Sequence, residues 1–253
     1  MVGMKIHIVY AHPHTASLNA ALRDEAVRTL EGLGHTVTVA DLYAMQWKAV
    51  ADFDDFGPTE NEAFMPAAGE AWEQGEIAAD VKAEQARLLA ADLVILQFPL
   101  WWYTVPAIMK GWIDRVFTNG FGYGTSRDWP RFGDGVLKGR RAMVVVTTGA
   151  AESHLSDRGV NGDIDSLLFP LQHGVLFYTG MEVLPPVVVT SAHPGFSASD
   201  YADAVKDLRS RLETFAETAP VAYRRQAEDY DDDKRLKPGL EPAGTTGFAL
   251  HLA

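Results

Sequence analysis

Short β-rich runs alternate with amphipathic stretches along most of the chain. Lys5 to Tyr10 (KIHIVY) predicts a strand, a polar turn covers Ala11 to Ser17, and Leu18 to Leu30 predicts a helix. Gly32 and Gly34 break that pattern before Thr36 to Ala40 (TVTVA) returns as a second strand. A helical connection of this length makes the two strands parallel and the crossover right-handed. Val81 to Ala90 predicts another helix, and Asp92 to Phe98 (DLVILQF) is the near-continuous apolar run of a central strand covered on both faces. Pro106 to Val116 predicts a helix with proline in its first turn, where a missing N–H costs nothing. Ala142 to Thr147 and Glu182 to Thr190 bring the strands to five, and Ser199 to Phe215 predicts a closing helix. The alternation predicts an α/β fold, an open, doubly wound five-stranded parallel sheet with helices on both faces. In such a sheet ligands bind beyond the carboxyl ends of the strands.

Two stretches break the alternation. Asp52 to Asp80 is rich in Pro, Gly, Glu and Ala with little periodicity and reads as a long excursion within one domain. Asp229 to Ala253 opens on the acidic DYDDD and then loses regular pattern, so residues 1–228 form the expected domain and 229–253 a C-terminal tail. Two readings are open for both stretches: packing on a partner subunit, or surface disorder.

Composition narrows the chemistry. Lys and Arg total 22 against 34 Asp and Glu, a formal charge of −12, which repels nucleic acid and anionic lipid surfaces. The absence of cysteine excludes disulfides, thiolate catalysis and thiolate metal sites. Met1 to Tyr10 lacks the pattern of a secretion signal, and the most apolar window, Leu88 to Leu100, is too short to span a bilayer. The expectation is a cytoplasmic enzyme that is not an integral membrane protein.

The strand ends carry the candidate chemistry. After the first strand, Ala11 to Asn19 (AHPHTASLN) is full of hydroxyl, imidazole and amide donors and opens into a helix, a setting that suits a diphosphate without a P-loop lysine. His12 and His14 as a metal pair is the weaker alternative, because no carboxylate lies nearby in sequence. After the third strand, Pro99, Leu100, Trp101, Trp102 and Tyr103 set three aromatics side by side. They cannot all enter one core, so some line a crevice on which a flat ring could stack, although helix-to-sheet packing would use the same residues. After the fourth strand, Thr147, Thr148, Gly149 and Ala150 present hydroxyls and amides suited to the polar edge of such a ring.

The segment Gln97 to Phe117 (QFPLWWYTVPAIMKGWIDRVF) resembles the signature of the FAD-dependent NAD(P)H:quinone oxidoreductase family, which has the flavodoxin-like fold. DLYAM at Asp41 to Met45, TTGA at Thr147 to Ala150, and Gly159, Gly162, Asp163, Pro170, Gln172, Gly174 and Gly180 fall at the family's spacing. The similarity covers about Lys5 to Phe215.

The resemblance implies FAD rather than FMN, NAD(P)H as electron donor, a quinone as acceptor, ping-pong hydride transfer and a homodimer with the flavin at the subunit boundary. It places His12, Ser17, Leu18 and Asn19 at the flavin diphosphate, Pro99, Leu100, Trp101, Trp102 and Tyr103 beside the ring, and Thr147, Thr148, Gly149 and Ala150 at its polar edge. Tyr123 matches one of two active-site tyrosines, and Thr125 stands where the second would be. The family's tyrosine and histidine near the reduced ring are Leu155 and Asn161 here. Leucine offers no hydrogen bond, and an asparagine amide donates but cannot take up a proton near neutral pH. The catalytic candidates are therefore Tyr103, Tyr123 and Asn161, with no metal. Rival readings keep the flavin but reduce azo, nitroaromatic or specialised-metabolite acceptors, or make the chain a regulatory flavoprotein subunit of an ion-efflux system.

Overall fold

The fold is that of a computed structural model describing residues 3–253, so the first two positions of the Met1 to Tyr10 stretch lie outside the described residues. The strands are β1 (Lys5–Tyr10), β2 (Thr36–Asp41), β3 (Leu93–Pro99), β4 (Arg141–Thr147), β5 (Glu182–Val183) and β6 (Val187–Val189). The main helices are α1 (Leu18–Gly32), α2 (Phe64–Gln74), α3 (Ala79–Ala90), α4 (Ala107–Val116), α5 (Ile164–Leu171) and α6 (Ala198–Thr214). All strand pairs are parallel in the order β2-β1-β3-β4-β5, with β6 also on β4. This is the flavodoxin-like winding expected from the sequence, with its switch point between β1 and β3.

Side-chain alternation along the buried strands feeds two cores. Ile6, Ile8, Leu93, Ile95, Met143 and Val145 face α1 and α6, where Leu22, Leu30, Leu208 and Leu212 are fully buried. Val94, Leu96, Phe98, Val144 and Val146 face the other way, onto Val81 and Leu88 of α3 and Met109, Trp112 and Val116 of α4. A polar knot sits inside this second layer. Glu84 Oε2 accepts from Trp112 Nε1 at 2.8 Å and lies 3.3 Å from His7 Nε2, while Arg87 also pairs with Glu84.

Two expectations are corrected. The strand predicted over Glu182 to Thr190 is two short strands, because Pro185 and Pro186 have no N–H to give to the ladder. The sheet therefore has six strands in five positions. The excursion Asp52 to Asp80 is largely structured: a single helical turn at Phe53–Asp55 precedes α2, whose buried face is Ala67, Ala68 and Ala71. Pro66 and Gly69 lie inside this helix, and in sequence both read as loop residues. The chain between β4 and β5 contains α5 and a wider-turned continuation, Gln172–Phe177, in which the Tyr178 amide donates to the His173 carbonyl five residues back at 3.0 Å. Pro170 lies inside α5, a crossover for which the sequence pattern predicted no element.

The excursion is tied down by charge and by close approach. Arg115 of α4 reaches both Asp55 and Asp80, and a Cβ at Gly111 would lie 2.0 Å from the Ala49 carbonyl oxygen. The segment 229–253 folds back on its own chain. Arg224 donates to the carbonyls of Leu250 at 3.1 Å and Leu240 at 2.7 Å, and Phe248 stacks on Phe169 with ring centroids 4.2 Å apart. No helix among the described residues is long and apolar enough to cross a membrane.

Candidate functional site

Three strand-end turns meet in one cleft of about 260 Å³. His12, Leu18 and Asn19 line it from the β1–α1 turn, Pro99, Leu100 and Trp101 from the end of β3, and Thr147, Thr148 and Gly149 from the end of β4. Ala192, in the turn after β6, completes the lining. Sequence reasoning missed Ala192, although the rule that every parallel strand delivers its carboxyl end to the same crevice would have found that turn.

Each turn is built for its place. Ser17 caps α1 by accepting the Ala20 amide at 3.1 Å, which leaves the Leu18 and Asn19 amides without partners among the described residues. The helix therefore presents unpaired N–H groups and its positive end at the cleft. His12 Nδ1 accepts the His14 amide at 3.1 Å, and burial holds its imidazole below the usual histidine range, so it is neutral at pH 7.

Asn19 stitches the three strand ends together. Its side chain donates to Thr147 Oγ1 at 2.6 Å, and its backbone carbonyl accepts from Gln97 Nε2 at 2.8 Å. The Oδ1 of Asn19 and the Oε1 of Gln97 are buried with no partner, a costly arrangement at a strand end unless a ligand or water completes it. Gln97 is thus a site-positioning residue that the sequence disclosed only as part of a strand.

The aromatic turn is strained. Trp101 and Thr104 exchange backbone hydrogen bonds at 3.0 Å in both directions, which forces Trp102 to φ 50° and Tyr103 to φ 63°. Left-handed backbone at a bulky residue costs on the order of 1–3 kcal/mol, and such strain concentrates at functional sites. In this turn Trp102 is 90% exposed and Tyr103 52%. The strain holds aromatic surface out of the core, which favours the crevice over the helix-to-sheet packing alternative.

The remaining candidates divide. Tyr103 donates its hydroxyl to Asn161 Oδ1 at 3.1 Å, so two residues 58 positions apart in sequence are brought together. Ala150 stays in the turn after β4, its amide donating to Thr148 Oγ1. Leu155 is buried within the helical turn Glu152–Leu155 and does not line the cleft. Tyr123 lies elsewhere. It lines a second cleft of about 580 Å³ with Phe64, Ile113, Phe117 and Tyr178, because the turn from Thr118 to Tyr123 folds back beneath α4. Burial, with Tyr178 nearby, raises its phenol above the usual range.

The first cleft has no Lys, Arg, Asp or Glu in its lining. A ligand there meets neutral hydroxyl, amide and imidazole groups and unpaired helix-terminal N–H groups, an anion-tolerant set without a full positive charge.

A doubly wound parallel sheet with its strand-end turns gathered on such a cleft defines a flavodoxin-like protein, and the family described as flavodoxin-like fold matches residues 4–212. The ribosyldihydronicotinamide dehydrogenase-like protein traD of Penicillium crustosum is 45% identical over 258 residues, covering 98% of this chain and 95% of that protein. The human ribosyldihydronicotinamide dehydrogenase (quinone) is 42% identical over 226 residues, covering 87% of this chain and 96% of its own. A crystal structure from Klebsiella pneumoniae, described as a candidate quinone reductase, superposes with a TM-score of 0.95 at 49% identity, covering 99% of this chain and 100% of that one. The chain belongs to the flavodoxin-like family of quinone-reducing NAD(P)H and ribosyldihydronicotinamide dehydrogenases.

Proposed function

We propose that this chain is a cytoplasmic, flavin-dependent NAD(P)H:quinone oxidoreductase that works by a ping-pong cycle as a homodimer, with FAD as its flavin. The observation that carries the reading is the convergence of the β1, β3 and β4 turns on one uncharged, donor-rich cleft lined by Trp101, with the strained, exposed Trp102 and Tyr103 next to it in the same turn. The buried, unpartnered Oδ1 of Asn19 and the unpaired amides at the start of α1 fit a group that brings both donors and acceptors, as a flavin nucleotide does. FAD rather than FMN rests on the resemblance of Gln97 to Phe117 to the FAD-containing quinone reductases.

A bound flavin would supply two-electron chemistry between a reduced nicotinamide and a quinone. The protein's part is to bind, orient and screen. Leu18 and Asn19 amides, with Ser17 and His12 beside them, receive the diphosphate. Trp101, Trp102 and Tyr103 give the ring an aromatic border that excludes water, and Thr147, Thr148, Gly149 and Ala150 bond its polar edge. Asn161, held through Oδ1 by Tyr103, keeps its amide N–H groups available for negative charge on the reduced ring but has no proton to exchange near pH 7. Loss of one such electrostatic group costs on the order of a hundredfold in rate, so turnover persists but is slower than with an imidazole at this position.

The second, largely apolar cleft supports the homodimer, because an opening walled by Phe64, Ile113, Phe117 and Tyr178 gains most when covered. Tyr123 then serves the neighbouring subunit's site. Steady-state assays with NADH and NADPH against quinone, azo and nitroaromatic acceptors test the activity. Parallel double-reciprocal lines with a quinone favoured over the other acceptors are expected, and loaded protein that oxidises neither nicotinamide would overturn the proposal.

A further inference from the structure

A third opening, separate from both clefts, is built from the tail and the α5 region. It measures about 160 Å³ and is lined by Phe132, His173, Gln226, Tyr230, Lys234 and His251. Its aromatic wall is continuous. Phe132 stacks on His173 at 4.9 Å, His173 on Phe169 at 4.5 Å, and Phe169 on Phe248 at 4.2 Å, with interplanar angles of 28°, 15° and 14°. Loop, helix and tail thus contribute to one column of rings, next to a slot the size of a single planar ring. Drug-sized sites run to about 300–1,000 Å³, so the occupant is smaller than that.

The polar atoms around the slot are mostly donors. Tyr230 and His251 Nδ1 lie 2.6 Å apart. Burial raises the Tyr230 phenol and lowers the His251 imidazole, so the hydroxyl donates and the neutral ring carries its hydrogen on Nε2. That Nε2–H, the Gln226 side-chain amide, the Lys234 ammonium and both ring nitrogens of His173 have no hydrogen-bond or ion-pair partner among the described residues. No carboxylate lines the cavity, although the chain carries 34 of them and a formal charge of −12. An adjoining opening of about 360 Å³ shares Gln226, Tyr230 and Lys234 and is lined by charges of both signs, Arg127 and Arg131 beside Asp128, Asp134, Asp231 and Asp232, so the carboxylate-free surface is that of the inner slot alone.

We propose that this cavity is a binding site for a small planar aromatic acid, with the ring in the slot beside Phe132 and His173 and the anionic group on Lys234, Gln226 and His251. A cation would meet the Lys234 ammonium, and a purely apolar guest would leave the Gln226, His173 and His251 donors without partners. Occupancy joins the loop before β4, α5 and the tail, so it stabilises the protein by mass action as well as filling the cavity.

Benzoate is the probe. Calorimetric titration of the flavin-loaded protein should give saturable binding near one site per chain, with a higher melting temperature and an unchanged flavin spectrum. Lys234→Gln, an exposed substitution that leaves the fold and the other cleft alone, should weaken benzoate roughly tenfold or more, and benzyl alcohol should bind the parent protein at least that much more weakly than benzoate. Phe132→Ala should abolish binding. No saturation by about 10 mM benzoate, a limit well above the millimolar affinities of weak ligands, would overturn the proposal. So would binding that is equal in Lys234→Gln, or binding accompanied by a shift in flavin absorbance, since the ligand would then occupy the flavin-side cleft.

Discussion

Replacing Arg115 by Met removes the cation on which the 52–80 excursion is pinned. Arg115 is almost fully buried on α4, and its Nε and Nη2 donate to Asp55 Oδ1 at 2.9 and 2.7 Å. Its Nη1 donates to Asp80 Oδ2 at 2.8 Å and to the Lys48 carbonyl at 3.2 Å, and the guanidinium lies 4.6 Å from the Trp47 ring centroid. Without it, Asp80 is exposed enough to rehydrate. Asp55 is not, and retains Lys48 at 3.2 Å as its one cation and the Asp52 amide, which donates to its Oδ2 at 3.2 Å. Breaking a buried pair from one side costs about 3–5 kcal/mol, and the surviving lysine sets the expectation at the lower end, about 3 kcal/mol. For a chain of this length that is a fall of roughly 6–12 °C in melting temperature. The assay is urea and thermal unfolding of the flavin-free protein at pH 7. Arg115→Met combined with Asp55→Leu should recover most of the loss, because an apolar pair leaves no stranded charge. A single-variant loss under about 1 kcal/mol, the value of an exposed ion pair, would refute the reasoning, as would a double variant worse than the single one.

Three further outcomes are expected. Asn19→Ala should cost the apo protein only about 1 kcal/mol, since one hydrogen bond is lost while a stranded Oδ1 goes with it, yet weaken flavin binding about tenfold in fluorescence titration; equal binding would remove Asn19 from the site. Asn161→His should raise quinone turnover by up to about a hundredfold and add a pH limb near the histidine range of about 6.5, and an unchanged rate would mean that this loop does not reach the ring. Burial, with His251 adding to it, holds His173 down to about 4. Its unfolded value is about 6.5, so between those pH values the unfolded chain binds the extra proton and stability falls as pH drops through the window, by about 3 kcal/mol in all. His173→Phe keeps the ring stack and should flatten that acid loss in urea melts at pH 7.5 and 4.5; the same loss in variant and parent would contradict the burial argument.

What the sequence disclosed and what it hid follow from how each element is stabilised. The runs at Lys5, Leu93 and Arg141 are strands because apolar side chains fill both layers, and the run at Thr36 is an edge strand marked by its β-branched Thr and Val residues; both patterns are local. The helix α2 escaped because Pro66 and Gly69 lie inside it, and α5 because Pro170 mimics a break that the wider-turned residues after it absorb. In the site, the strand-end turns were legible as donor-rich or aromatic clusters. The bond from Tyr103 to Asn161, the bridging by Gln97 and the lining by Ala192 depend on which turns the sheet order brings together, and no single turn states that. Tyr123 was readable as a family residue, but only the folded chain shows that it faces a different cleft from Asn19 and Thr147.

Flavin uptake by the purified protein tests the central claim most directly, through its visible spectrum and the identity of the nucleotide released on denaturation. A yellow protein holding one FAD per chain, bleached by NADH or NADPH and re-oxidised by a quinone, is the predicted result. A colourless protein that takes up neither FAD nor FMN would contradict the account.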